Sequence, residues 1–432
     1  MFVNIHDMTE SGKGRDVMEI QIEKFMDETG NVASLIEWLA SFGATENKGV
    51  TRLLYSEEWL SAQLAMKGEM DKEGLVTYFD SVGNLFGRLE GADSASGTIL
   101  TGSHIDTVKD GGKYDGAYGV IASFLAVKKL YRIYGQPRKT IEVVSFCEEE
   151  GSRFPITFWG SRNIQGIYDL DDVKDMEDTE GIPFVEAMKK AGFGPEVYKT
   201  PARNDIDRFV EIHIEQGMVL EKNRNAIGVV SHIVGQRRYT VKVVGESDHA
   251  GTTPMSYRKD AVSTASEFIS FLTNKAKGMD PHLVATVGRL NVIPNVPNVI
   301  ACEVEFTLDI RHHEEVILDL FCKEIFASFD GLAKKGGMKL EVSQWMDVKP
   351  VAMDMEMNQL ARRIAEDKHI PYQDIVSGAG HDAQVFGSFC PTCLLFVPSQ
   401  GGISHSPKEF TSVPDLEKGI DVLSEVLYKL AY

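Results

Sequence analysis

Two short apolar runs, Thr98–Gly102 (TILTG) and Ile141–Phe146 (IEVVSF), bracket a stretch of helical spacing, Ala117–Leu130. Runs of this length and composition read as buried strands, and a strand–helix–strand series closes as a parallel pair with the helix on one face. That βαβ unit commits the surrounding chain to an α/β domain. Phe209–Ile214 and Leu394–Val397 read as further strands, and Val413–Leu430 as a closing amphipathic helix. Open α/β sheets bind ligands beyond the C-terminal ends of their strands. The loops that follow these strands are therefore where chemistry is expected.

The middle of the chain is patterned differently. Arg238–Val244 (RYTVKVV) alternates as a half-exposed strand, and Tyr257–Thr273 reads as a helix. Leu283–Asn291 and Ile300–Asp309 read as strands joined by the Pro- and Asn-rich turn Pro294–Asn298. A helix near Glu314–Phe329 and a strand Lys339–Trp345 follow. The order β-α-β-β-α-β is that of a ferredoxin-like unit. The expected architecture is a mixed-sheet α/β catalytic domain, residues 1–232 plus 346–432, interrupted by an inserted ferredoxin-like domain, residues 233–345.

Charge narrows the partners. The 45 Lys and Arg residues against 64 Asp and Glu leave a formal charge of −19 over 432 residues. That field repels phosphate backbones, so no nucleic-acid partner is expected. A small anionic substrate stays open, because one local arginine outweighs a distant average. No run approaches the roughly 18 apolar residues of a membrane span. The N-terminal MFVNIHDMTESGKGRDVMEIQ lacks the apolar core of a secretory signal, so no membrane association and a cytoplasmic location are expected. Five scattered cysteines, Cys147, Cys302, Cys322, Cys390 and Cys393, fit reduced thiols. Cys390-Pro-Thr-Cys393 has redox or zinc spacing, but it runs straight into Leu394–Val397 and reads as the entry to a buried strand.

Three of the eleven histidines lie in small-residue, acid-rich surroundings: His104 in GSHID, His213 in EIHIEQG and His405 in GISHSPKE. His104 follows a strand, and Asp106 stands two residues on, placed to accept from the second imidazole nitrogen of a metal-bound histidine. Gly111, Gly112 and Gly116 let the backbone bend so that Asp115 points back to the same spot. After the next strand comes Cys147-Glu148-Glu149-Glu150-Gly151. Three adjacent carboxylates repel one another unless a cation sits among them; alone, the run reads equally well as a solvated acidic turn. Together these loops supply mixed nitrogen and oxygen ligands for two divalent ions, with one carboxylate to bridge them. An unligated Glu beside such a pair can shuttle the proton that amide hydrolysis requires.

The segments GSHIDTV, YDGAYGV, EEEGSRFP, HIEQG, VGQRRYTV, HAGTTPM, DIRH, SGAGHDAQ and GISHSP occur in this order from about Leu35 to Tyr432. In that set and order the chain resembles the M20 metallopeptidase-like amidohydrolases, in the branch that holds N-carbamoyl-L-amino-acid hydrolases, β-alanine synthase and allantoate-cleaving enzymes. Thr51–Ser56 (TRLLYS), Phe158–Ser161 (FWGS) and Trp345-Met346-Asp347 incline the resemblance to the members that act on allantoate. An N-carbamoyl-L-amino-acid amidohydrolase is the alternative, with ureidoglycolate or β-ureidopropionate hydrolysis behind it.

The resemblance implies two divalent metal ions per subunit, manganese or zinc, with cobalt or nickel as further options. Their ligands would be His104, Asp115, Glu150, His213 and His405, with Asp115 bridging and the partition of the terminal ligands left open. Glu150 follows Asp115 by 35 positions, the spacing of that family; Glu149 then matches the general base and Glu148 becomes a flanking residue. Asp106 would support the catalytic centre. Arg311 matches a clamp for a substrate carboxylate. Gln216 and Asn298 match substrate hydrogen-bonding positions, although PNVPN also suits a plain turn. His249 matches an oxyanion-stabilising histidine given by a partner subunit, and Gly380 offers backbone, with His381 and Asp382 shaping the pocket. The inserted domain would act as lid and as the homodimer contact. His6, His232, His282, His312, His313 and His369 receive no role.

Rival chemistries fit poorly. Gly151-Ser152 and Gly160-Ser161 lack the glycines of a nucleophile elbow, and GAGHDAQ lacks dinucleotide-binding spacing. A binding protein that had lost its activity would not be expected to keep every ligand and the base.

Overall fold

The computed structural model describes residues 31–432. His6 and the N-terminal stretch read above for a secretory signal lie outside the described residues. The chain divides into two compact units. One runs to Ser231 and takes in Met353–Ile375 and His381–Tyr432; the other is His232–Ala352 with Val376–Gly380.

The strands are, first, β1 (Val76–Phe79), β2 (Leu85–Leu89), β3 (Thr98–His104), β4 (Thr140–Phe146), β5 (Ile206–Ile214) and β6 (Ile227–Ile233). The middle of the chain gives β7 (Gly235–Val244), β8 (Val284–Ile293), β9 (Glu303–His312) and β10 (Lys339–Val348). Last come β11 (Val351–Ala352), β12 (Tyr372–Ser377) and β13 (Thr392–Val397). Nine of these form one sheet in the order β1-β2-β4-β3-β5-β13-β6-β11, with β12 also paired to β6. Its centre, β4-β3-β5-β13, is parallel. The flanking pairings of β1, β2, β6 and β11 are antiparallel, so the sheet is mixed.

Every residue of β3, β4 and β13 is buried, which is why these segments read as unbroken apolar runs rather than alternating ones. The helix Ala117–Tyr134 crosses from β3 to β4, opening at Gly116 and ending at Gly135, both at positive φ. It approaches the sheet so closely at Gly119 that a Cβ there would stand 2.4 Å from the Ile212 carbonyl oxygen. The closing helix Val413–Ala431 begins where the Ser412 hydroxyl accepts the Asp415 N–H, with Pro414 in its first turn. Because the four central strands run the same way, their C-termini share one sheet edge. The loops after His104, Phe146, Ile214 and Val397 all leave from it.

In the second unit β7, β8, β9 and β10 form an antiparallel sheet in the order β10-β7-β9-β8. Helices Ala261–Met279 and Glu315–Lys335 follow β7 and β9, so the elements run β-α-β-β-α-β. Alternate residues Tyr239, Val241, Val243, Val304, Phe306, Leu308 and Ile310 are buried with Phe268, Phe321 and Phe329 from the helices. Each such side chain contributes about 1.5–3 kcal/mol. The first helix starts at Ala261 rather than Tyr257, because the Asp260 carboxylate caps the N–H groups of Val262 and Ser263. All five cysteines are free, and Cys393 is buried within β13. Among the described residues no helix is long and apolar enough to cross a membrane.

Candidate metal centre

His104 is the last residue of β3 and His213 the last but one of β5. The strands pair with Thr101 beside Val210, so three residues further along the two histidines stand side by side on one face. Their rings stack with centroids 5.8 Å apart. Nδ1 of His213 lies 2.9 Å from the Ile214 carbonyl and Nδ1 of His104 lies 3.1 Å from the Asp106 carbonyl. Each ring thus gives its N–H away from the centre and turns the Nε2 lone pair inward, the arrangement of a metal-binding imidazole.

Asp115 is where the two halves of the centre meet. Its Oδ1 lies 3.2 Å from His213 Nε2 and 3.7 Å from His104 Nε2, while its Oδ2 lies 3.2 Å from His405 Nε2. His405 Nε2 is in turn 3.4 Å from Glu150 Oε2. Two ligand groups result, His104–Asp115–His213 and Asp115–Glu150–His405, and within each the ligand atoms all lie within 4.8 Å of one another. In these candidate groups both strand-borne histidines fall on one oxygen of Asp115, and the loop-borne Glu150 and His405 on the other. Glu149 Oε2 stands 4.0 Å from His104 Nε2 and belongs to neither group.

The electrostatics fit a pair of cations. Burial opposes ionisation of Asp115, yet its close contacts with the imidazoles of His213 and His405 hold its carboxyl well below the usual range. Burial and then Asp115 push Glu150 up to about 7, and a hydrogen bond to Asp115 raises His405 to about 9. Burial pushes Glu149 well above the usual carboxylate range, with His104 pulling the other way and Glu150 adding to the rise. Glu150 Oε1 is buried with no hydrogen-bond partner, as is Glu148 Oε2. Three imidazoles, two carboxylates and an orphaned buried oxygen suit two divalent ions sharing Asp115.

Several supporting groups carry no sequence signal of their own. Glu409 accepts the N–H groups of Tyr114 and Asp115 at 2.9 and 3.1 Å and a hydroxyl bond from Ser404 at 3.0 Å, holding the bend that aims Asp115. The same hydroxyl lies 3.0 Å from Asp115 Oδ2, so its one proton is shared between the two carboxylates. Glu211 shares the face of β5 with His213, two residues away, and accepts from Ser103 and from the Ala383 N–H. That i, i+2 spacing was the one available hint. His381 is buried with its ring 4.6 Å from that of His213, and Asp382 accepts from Ser161 at 2.6 Å.

Gln216, expected at the substrate, donates its side-chain amide to Asp115 Oδ2 at 2.8 Å and to Ser404 at 3.2 Å. Its amide group thus lies beside the candidate metal ligands. Arg311, His249, Asn298 and Gly380 belong to the second unit. Arg311 is gripped along one edge by Asp309, at 2.8 and 2.9 Å, and donates from Nη1 to the Gly378 carbonyl at 2.7 Å. His249 is exposed, and its Nδ1 accepts the Gly251 N–H at 3.0 Å, which places the ring proton on Nε2. Asn298 is exposed, and its carbonyl accepts the Ala250 N–H at 3.1 Å.

The model of peptidase family M20/M25/M40 matches residues 100–429. An allantoate amidohydrolase of Bacillus subtilis (strain 168) is 48% identical over 402 residues, covering 93% of this chain and 98% of the relative. An allantoate amidohydrolase of Escherichia coli (strain K12) is 46% identical over the same shares of the two chains. A solved amidase of the hydantoinase/carbamoylase family from Burkholderia multivorans superposes with a TM-score of 0.88 at 33% identity, covering 93% of this chain and 97% of that one.

Proposed function

The chain belongs to peptidase family M20/M25/M40, and on that premise we propose that it hydrolyses a ureido C–N bond of allantoate, with ureidoglycine, ammonia and carbon dioxide as products. The observation that carries this reading is the pair of ligand groups sharing Asp115, with the Glu149 carboxylate beside them and bound into neither. Two divalent ions held there would polarise the carbonyl and acidify water. Manganese or zinc suits this mixed set, with cobalt or nickel as alternatives.

The chain's own groups do the rest. Glu149 accepts the proton of the attacking water and returns it to the departing nitrogen. Asp106 accepts the backbone N–H of Glu149 and so holds the loop that carries that carboxylate. Arg311 pairs with the substrate carboxylate through N–H groups not engaged by Asp309. His249 donates a hydrogen bond from Nε2–H to the developing oxyanion from the neighbouring subunit of a homodimer. Asn298, Gln216 and the Gly380 backbone fix the ureido groups. The inserted domain, residues 233–345, serves as lid and dimer contact. We place the enzyme in the cytoplasm.

Ammonia release from allantoate and from N-carbamoyl-L-amino acids, with manganese and after chelation, tests the reading. Chelator-sensitive turnover of allantoate is the expected result. Turnover of the carbamoyl compounds alone would leave the mechanism and move the substrate to the alternative.

A further inference from the structure

Four histidines with no part in the metal centre converge in the second unit. His232 ends near the close of β6, His282 precedes β8, and His312 and His313 stand at the end of β9. His313 is central: its ring centroid lies 4.4 Å from that of His312, 5.3 Å from that of His282 and 5.5 Å from that of His232.

The hydrogen bonds separate these rings into two kinds. His312 Nδ1 accepts the Glu314 N–H at 2.9 Å, so its proton is on Nε2, which lies 3.1 Å from Asp280 Oδ1. Both nitrogens of His312 are spent, and the ring forms a floor stacked under His313. The Nδ1 atoms of His232 and His313 are instead buried with no hydrogen-bond partner. Buried polar atoms are normally paired, and two orphaned imidazole nitrogens in one cluster mark a missing ligand. Burial, reinforced by the neighbouring imidazoles, depresses the pKa of His313, so its lone pair is available near neutral pH.

The spacing also fits. Two imidazoles bound to one zinc at the usual bond length and a tetrahedral angle have ring centres about 5 Å apart, close to the 5.3 and 5.5 Å observed around His313.

We propose that His232, His282 and His313 form a third metal site, separate from the Asp115 centre, which takes a transition-metal dication of the zinc class. Among the described residues, only the two groups around Asp115 have all their ligand atoms within 4.8 Å. The third set closes by rotation of the exposed His282 side chain. Glu314 Oε1 lies 3.7 Å from His313 Nε2, the ring nitrogen that a metal on Nδ1 would leave free. Imidazole ligands favour zinc, copper and nickel, whereas manganese and magnesium favour oxygen. The two kinds of site should therefore differ in metal preference.

The test is a metal count. Chelated protein is loaded with zinc or with manganese, gel-filtered and measured by elemental analysis. Zinc is expected to reach about three ions per chain and manganese about two. His313→Asn should lower the zinc count by one and leave turnover with manganese unchanged. His282→Ala, at an exposed side chain, repeats the test where His313→Asn fails to fold. A zinc count of two in the unaltered protein overturns the proposal, and so does a count of three that survives both substitutions. The count does not depend on turnover, so it stands or falls apart from the allantoate reading.

Discussion

The carboxylate of Asp106 receives the backbone N–H of Glu149 on both of its oxygens, at 3.2 and 3.1 Å. The same group accepts the Glu150 N–H at 3.1 Å and lies 3.4 Å from His104 Nδ1. One buried carboxylate therefore shapes the loop that bears the proposed base and a proposed metal ligand, and it also lies against the proposed ligand His104. Asp106→Asn would turn an amide N–H₂ toward backbone donors. Metal affinity should fall about 10–100-fold, measured by titration against a competing chelator. Unchanged affinity and turnover would remove Asp106 from this role.

Gly116 sits at φ +60, and a Cβ there would lie 2.4 Å from His104 Nε2. Gly116→Ala must displace the ligand ring or the turn that aims Asp115. The expected outcome is loss of the ion shared by His104 and His213, seen as fewer than two metal ions per chain, together with lower thermal stability. Full metal content would show that the ring is not confined as described.

Asp205 gives a pH dependence. Its side chain accepts from Arg203 at 2.9 and 2.6 Å and from the Thr98 hydroxyl at 2.8 Å, pinning the start of β3. The Arg203 hydrogen bonds, against the opposing effect of burial, hold Asp205 down to about 2, from an ordinary value of 3.8. A folded-state pKa below the unfolded one contributes stability above about pH 4, and this is lost as pH falls towards 2. Asp205→Asn should therefore lower Tm at pH 7 by a few degrees, with the gap narrowing below pH 4. A gap independent of pH would assign the effect to packing.

The proposed sharing of the site between subunits admits a complementation test. Mixed dimers of His249→Ala with Glu149→Gln contain one intact composite site when His249 acts across the dimer. Some turnover should return in verified heterodimers, though each parent is impaired. No recovery would place His249 in its own subunit's chemistry or outside it.

How much of this was legible beforehand follows from burial and range. β3, β4 and β13 are buried along their whole length and stood out as apolar runs. The ligands stood out because histidines and carboxylates rarely gather in glycine-rich loops after strands. β1 and β2 did not, since Val76–Phe79 is a short, largely exposed stretch and Leu85–Leu89 carries Gly87 in its middle. Glu409 was invisible for another reason: its bond to the Tyr114 N–H spans 295 positions, and no local pattern encodes it. Asp115 was already marked as the bridge by the resemblance, whereas the grouping of the other candidate ligands around it needed coordinates. Strand register brings His213 beside His104, and register is set by pairing across the sheet. His312 and His313 passed as ordinary surface histidines because His232 and His282 are distant in sequence.

Glu149→Gln is the most direct test of the central claim, that a carboxylate outside both ligand groups carries the proton in a two-metal hydrolysis. Its manganese content and its ammonia release from allantoate should be measured on the same sample. Two ions per chain with turnover reduced about 10²–10⁴-fold is the predicted result. Turnover near that of the unaltered enzyme at full metal occupancy would contradict it.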